Sequence, residues 1–149
     1  MLKRILLVED NPKDVELAMV ALGKSQLADD VVVVRDGAEA LDYLRAEGEY
    51  AGRARGNPAL VLLDLKLPKV DGLEVLEQIK SDPTLQAIPV VMLTASREEQ
   101  DLLRSYKSGV NAYVVKPVSF KEFSGTIQDI GVFWGLHNEP PPGSLRPKR

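Results

Sequence analysis

Val61-Leu62-Leu63-Asp64-Leu65-Lys66-Leu67-Pro68 is the stretch on which the rest of the chain is read. A continuous apolar run carries one carboxylate to its end, and Pro68 then stops the strand. Burying Asp64 at the edge of a hydrophobic layer is unfavourable unless a cation meets it. The flanking sequence is therefore searched for that cation and for the elements that bring it there.

Working outward, residues 60–63 read as a central strand buried on both faces. Ile5-Leu6-Leu7-Val8 has the same pattern and stops at Glu9-Asp10. Asn11-Pro12 then supplies an N-cap and a first-turn proline. Val15, Ala18, Met19 and Leu22 mark the apolar face of a first helix. Residues 31–34 form a second, β-branched strand. Asp36-Gly37-Ala38-Glu39 opens the next helix, whose apolar side is Leu41 and Leu44. Residues 47–58 lack periodicity and read as a helix end and a solvated loop, with Arg53 and Arg55 free for an acidic partner.

Beyond Asp64, Asp71-Gly72-Leu73-Glu74 starts a third helix with Gly72, Val75, Leu76 and Ile79 inward. Pro83 ends it, because the residue before proline avoids the helical region. Residues 89–93 are a fourth strand closed by Thr94. Ser96-Arg97-Glu98-Glu99 reads as a capping box for a fourth, loosely held helix burying Leu102, Leu103 and Tyr106, with Gly109 as its stop. Residues 112–115 are a fifth strand ending at Lys116-Pro117. Ser119 caps a fifth helix with Phe120, Phe123, Ile127, Ile130 and Trp134 on its face. This alternation predicts an α/β fold: a doubly wound, five-stranded parallel sheet with five helices. The main domain spans residues 1–136, and residues 137–149 form a Pro-rich basic tail expected to be disordered.

Composition narrows the function. The 149 residues suit one domain, with 44% hydrophobic and 28% charged residues. A net charge of −3 argues against a general nucleic-acid or membrane surface. The absence of cysteine excludes disulfides, thiolate nucleophiles and Cys-based metal sites. The apolar run after Met1 is too short for a signal peptide or a spanning helix of roughly 20 residues. The expected compartment is the cytoplasm.

Ligands in such sheets bind at the carboxyl ends of the strands. There the sequence places Glu9 and Asp10, then Asp64, Thr94 and Lys116, on four different strands. Clustered carboxylates suit a hard divalent cation such as Mg²⁺. Asp64 is placed to act as a nucleophilic carboxylate toward a phosphoryl group. Lys116 supplies a positive charge and Thr94 a hydrogen bond, which is most of what phosphoryl transfer asks of a protein.

These residues carry a family resemblance. Glu9-Asp10, the Leu-Leu-Asp64-Leu-Lys-Leu-Pro stretch, Asp71-Gly72, Leu93-Thr94-Ala95 and Tyr113-Val-Val-Lys116-Pro117 resemble the receiver domain of two-component response regulators. Thr94 follows Asp64 by 30 positions and Lys116 follows Thr94 by 22, spacings similar to the family's. The resemblance covers roughly residues 3–135. It implies a flavodoxin-like sheet of strand order 2-1-3-4-5. It further implies that Asp64 accepts a phosphoryl group from a sensor histidine kinase. Asp10 and Asp64 would hold Mg²⁺ directly, Glu9 through a water, and the Lys66 backbone carbonyl would be a further ligand. The Lys116–Pro117 bond would be cis. Thr94 and Tyr113 would form the switch, biasing the face made by the fourth helix, fifth strand and fifth helix.

The long loop before Asp64 and the stretch Val132-Phe133-Trp134-Gly-Leu-His-Asn138-Glu-Pro-Pro are similar to regulators paired with bacterial phytochromes. That implies a phytochrome-type kinase as donor and a homodimer through the fourth-helix/fifth-helix face, aided by the C-terminal extension. Phe133 and Trp134 suit such an interface, although Trp134 equally suits a cap on the core. A His-containing phosphotransfer protein is a further possible partner. His137, in a Pro-bounded tail, is expected to be inert.

Rival readings fit less well. An aspartate-nucleophile phosphatase needs an acid two residues after its nucleophile, where Lys66 stands. There is no P-loop, and Glu9-Asp10-Asn11-Pro12 replaces the glycine-rich turn of a dinucleotide-binding fold. A receiver serving as an unphosphorylated interaction scaffold is the alternative within the family. The chain is expected to lack a DNA-binding domain, and so to act by protein contact or onward phosphotransfer.

Overall fold

The computed structural model describes residues 5–144. Five strands alternate with five helices: β1 Ile5–Val8, α1 Pro12–Gly23, β2 Val31–Val34, α2 Gly37–Arg45, β3 Leu60–Leu63, α3 Gly72–Ser81, β4 Val90–Thr94, α4 Glu99–Lys107, β5 Ala112–Val115 and α5 Phe120–Ile130. All strands are parallel, in the order β2-β1-β3-β4-β5. The expected doubly wound sheet is therefore present.

The continuous apolar runs follow from burial on both faces. Alternate residues of each central strand enter opposite cores. Leu6, Val8, Val61, Leu63, Val90 and Met92 pack with α2 and α3 through Leu41, Leu44, Leu73, Leu76 and Ile79. Ile5, Leu7, Leu60, Leu62, Val91 and Leu93 pack with α1 and α5 through Ala18, Leu22, Phe123 and Ile127. Each fully buried Leu or Ile contributes about 2 kcal/mol of transfer free energy. The paired cores thus fix the register. Val8 pairs with Val34 on one side and Leu63 on the other, so Glu9 and Asp64 emerge at one level. Thr94 pairs with Val115, which sets Lys116 beside them.

Local signals explain most helix starts. Asn11 Oδ1 accepts from the amides of Lys13 and Asp14. Asp36 Oδ1 accepts from the Glu39 amide, and Ser119 Oγ from the Glu122 amide. Gly72 is required by close approach. A Cβ there would lie 2.0 Å from the Asp64 carbonyl oxygen, so α3 starts directly against the backbone of the phosphoacceptor candidate.

Several expectations are corrected. Helix α4 starts at Glu99 with no side-chain bond from its N-cap residue Glu98; Ser96 Oγ donates to Asp101 Oδ2 (2.6 Å) and accepts from the Glu98 amide (3.3 Å) rather than from Glu99. Leu102, Leu103 and Tyr106 are exposed, and Ser105 is the buried residue of this helix. On α1, Ala21 is buried while Met19 is only half-buried. Phe120 is also exposed, lying beneath the Lys13 ammonium at 4.7 Å from the ring centroid. No cis peptide bond occurs among the described residues, so Lys116–Pro117 is trans, the isomer favoured by about 0.5–1 kcal/mol before proline.

The loop after α2 is not simply solvated. Arg53 folds back, donating to the carbonyls of Tyr43 (2.5 Å), Leu44 (3.1 Å), Ala54 (2.8 Å) and Gly56 (3.0 Å). Its guanidinium stacks over the Tyr43 ring, so it closes the end of α2 rather than facing a partner. Arg55 is exposed.

Beyond α5 the chain widens into a π-helical stretch, Gly131–His137. Trp134 packs against the α1/α5 core, while Phe133 and Leu136 face outward and His137 is exposed. Residues 138–144 do not trail away. The Asn57 amide donates to the Gly143 carbonyl (3.1 Å), and Asn57 pairs with Ser144. The basic residues Arg146, Lys148 and Arg149 lie outside the described residues.

Candidate functional site

The ends of β1, β3, β4 and β5 bring the expected groups together. Asp64 and Glu9 are buried, Asp10 is exposed, and Thr94 is fully covered. One oxygen from each of Glu9, Asp10 and Asp64 lies within 4.8 Å of the others. The cation that Asp64 requires is Lys116. Its Nζ lies 3.0 Å from Asp64 Oδ2 and 2.5 Å from Glu9 Oε1. A third acid, Asp14, accepts from the same ammonium at 2.9 Å.

Asp14 is the residue that sequence reasoning missed. It sits in the first turn of α1, where an acid is ordinarily explained by the helix dipole. Its position one helical turn beyond Asp10 was the available signal.

The electrostatics reflect three acids sharing one ammonium. Burial pushes the Glu9 carboxyl up to about 7, the Asp64 charge adding to the push against the pull of Lys116. Burial alone would lower the Lys116 pKa. Its bond to Glu9, the charges of Asp64 and Glu9, and its bond to Asp14 outweigh that effect and hold it above the ordinary lysine value. Lys116 is thus a permanent cation.

The carboxylates outnumber the cation, and their oxygens converge. That hard, oxygen-only donor set fits a small divalent cation such as Mg²⁺, with Asp10 on the solvent side. Lys66 places its amide 3.4 Å from Asp64 Oδ1.

A cleft of about 420 Å³ opens beside Asp64, lined by Lys66, Thr94, Ala95, Ser96, Arg97 and Glu98. Ser96 joins the two expected switch residues. Its amide donates to Thr94 Oγ1 (3.3 Å), and its carbonyl accepts from the Tyr113 hydroxyl (3.1 Å). Through Asp101 it also reaches α4. Tyr113 is only half-buried here.

With this geometry in hand, comparison with known proteins is direct. Residues 5–128 match the model of the response regulator receiver domain. Response regulator Rcp1 of Synechocystis sp. is 44% identical over 132 residues, covering 89% of this chain and 88% of Rcp1. Its Mn²⁺-bound crystal structure superposes with a TM-score of 0.87, at 42% identity, covering 93% of this chain and 99% of that one. The phosphorylated cyanobacterial phytochrome response regulator RcpA gives 0.87 at 48% identity, covering 95% and 99%. The bacteriophytochrome response regulator AtBRR is 66% identical with a TM-score of 0.73, covering 93% and 99%. The chain belongs to the response regulator receiver family, and phytochrome response regulators are among its close relatives.

Proposed function

We propose that this protein accepts a phosphoryl group on Asp64 from the phosphohistidine of a sensor kinase, in a Mg²⁺-dependent step in the cytoplasm. The observation that carries the reading is the direct contact of Lys116 with Asp64 at a strand-end cleft shared with Glu9 and Asp10. An Asp64 carboxylate oxygen attacks phosphorus, the bond from phosphorus to the histidine nitrogen breaks, and the imidazole leaves. Asp64 then carries an acyl phosphate. Lys116 offsets the added negative charge and Thr94 turns its hydroxyl to a phosphoryl oxygen. Asp10, Asp64 and the Lys66 carbonyl would hold the metal, with Glu9 acting through a water. The metal supplies charge neutralisation for the incoming phosphoryl oxygens.

The output follows from Ser96. When Thr94 turns inward it gives up the Ser96 amide, and the contact of Ser96 with Tyr113 and α4 is loosened. Tyr113 moves toward the vacated space, biasing the α4–β5–α5 face. That face carries Leu102, Leu103 and Tyr106 exposed, a composition suited to a homodimer contact, with Phe133 available beyond α5. The relatedness to RcpA and AtBRR supports a phytochrome-type kinase as the donor.

The test is transfer of labelled phosphate from a phosphorylated phytochrome-type histidine kinase. Label should move to the wild-type chain and not to Asp64→Asn. Label retained by the kinase, or transferred equally to the variant, refutes the reading.

A further inference from the structure

An ammonium has three hydrogens to donate. Those of Lys116 are matched by three carboxylates: Glu9, Asp14 and Asp64. On the reading above, a phosphoryl group on Asp64 brings new oxygens to the same ammonium. Three donors then face more acceptors than they can serve, and one existing partner must be released.

Burial decides which one. The Glu9 side chain is 4% exposed and that of Asp64 10%, whereas Asp14 is 25% exposed. Releasing Glu9 would leave a buried carboxylate without its cation, a costly arrangement. Asp14 stands at the start of α1, where water can replace the ammonium and the helix N-terminus favours its charge. Asp14 is therefore the partner with least to lose. It is placed by α1, whose start is fixed independently by the Asn11 cap and Pro12.

We propose that Asp14 is a positioning residue, a releasable counter-ion that holds the Lys116 ammonium while Asp64 is free and yields it when Asp64 carries a phosphoryl group. It touches neither the phosphoryl group nor the attacking oxygen. It sets how strongly the unmodified state competes for Lys116, and so shifts the balance between the two states. This rests on Asp64 being the phosphoacceptor.

The test is the affinity for beryllofluoride, a phosphoryl analogue, measured by titration calorimetry at saturating Mg²⁺. Wild type, Asp14→Asn, Asp14→Ala and Glu16→Gln are compared. Glu16 is exposed on the same helix and supplies the control for charge alone. Both Asp14 variants should bind beryllofluoride more tightly, by about fivefold, the scale of one partly exposed ion pair. Glu16→Gln should stay within about twofold, since it breaks no ion pair among the described residues. A merely structural residue would not give a gain of affinity when removed. Unchanged or weaker binding by both Asp14 variants, or an equal gain in Glu16→Gln, overturns the proposal. Failure of the wild type to bind beryllofluoride overturns the phosphoacceptor reading, and this proposal with it.

Discussion

Replacing Lys116 by Met removes the one cation that three carboxylates share, and the structure says what that should cost. The Glu9 and Asp64 side chains are nearly buried, while Asp14 is a quarter exposed and can turn to water. Two buried carboxylates thus lose their partner. Breaking a buried pair by deleting one member costs about 3–5 kcal/mol, far more than an intact pair contributes. Met keeps the length and apolar stem, so packing contributes little to the loss. Urea unfolding at pH 8 in EDTA should show Lys116→Met destabilised by about 4 kcal/mol. Added Mg²⁺ should recover more stability in the variant than in wild type, because it answers the same surplus of negative charge.

The loss should depend on pH with a defined sign. Glu9 titrates near 7 in the folded protein against 4.5 for the free side chain. The folded state therefore binds the proton more tightly. Its contribution is fully present below about pH 4.5 and is lost as pH rises through about 7. A rise of that size corresponds to about 3 kcal/mol. In the variant nothing cationic opposes the rise, so the penalty at pH 8 should shrink markedly at pH 5. A loss below about 1 kcal/mol at pH 8, or one independent of pH, would show that Lys116 is not the counter-ion of a buried cluster.

Further tests address the scaffold. Gly72→Ala places a Cβ 2.0 Å from the Asp64 carbonyl oxygen, so it should cost about 3 kcal/mol in urea unfolding and lower the rate of phosphate uptake. Ser105→Ala removes the buried side-chain polar atom without a partner among the described residues, and should raise stability by about 1 kcal/mol. Arg53→Ala breaks four bonds to backbone carbonyls, and should cost about 2 kcal/mol while leaving phosphate uptake unchanged.

Much of the fold was legible because parallel strands buried on both faces write themselves as apolar runs, and because Asn11, Asp36 and Ser119 announce helix starts. The meeting of Glu9, Asp10, Asp64, Thr94 and Lys116 was legible for a related reason, since each stands at a strand end or within two residues of one, and strand ends share one rim. The failures have physical causes. The leucines of α4 read as a core stripe, yet α4 packs at the β5 edge of the sheet and turns them outward. Periodicity gives the angle between residues on a helix and not the direction of the core. Arg53 binds carbonyls, which no sequence pattern marks. Nothing in the local sequence marks Asp14, because its partner Lys116 lies 102 positions away. The prolines of residues 138–144 suggest disorder, whereas the arm is paired to the loop before β3, where Asn57 bonds to Gly143 and bridges to Ser144.

The central claim is that Asp64 is a phosphoacceptor. Intact-mass measurement after incubation with acetyl phosphate, with and without Mg²⁺ and with Asp64→Asn alongside, tests it most directly. The account predicts a Mg²⁺-dependent gain of a single phosphoryl group that is absent from the variant. A gain that persists in Asp64→Asn would contradict it.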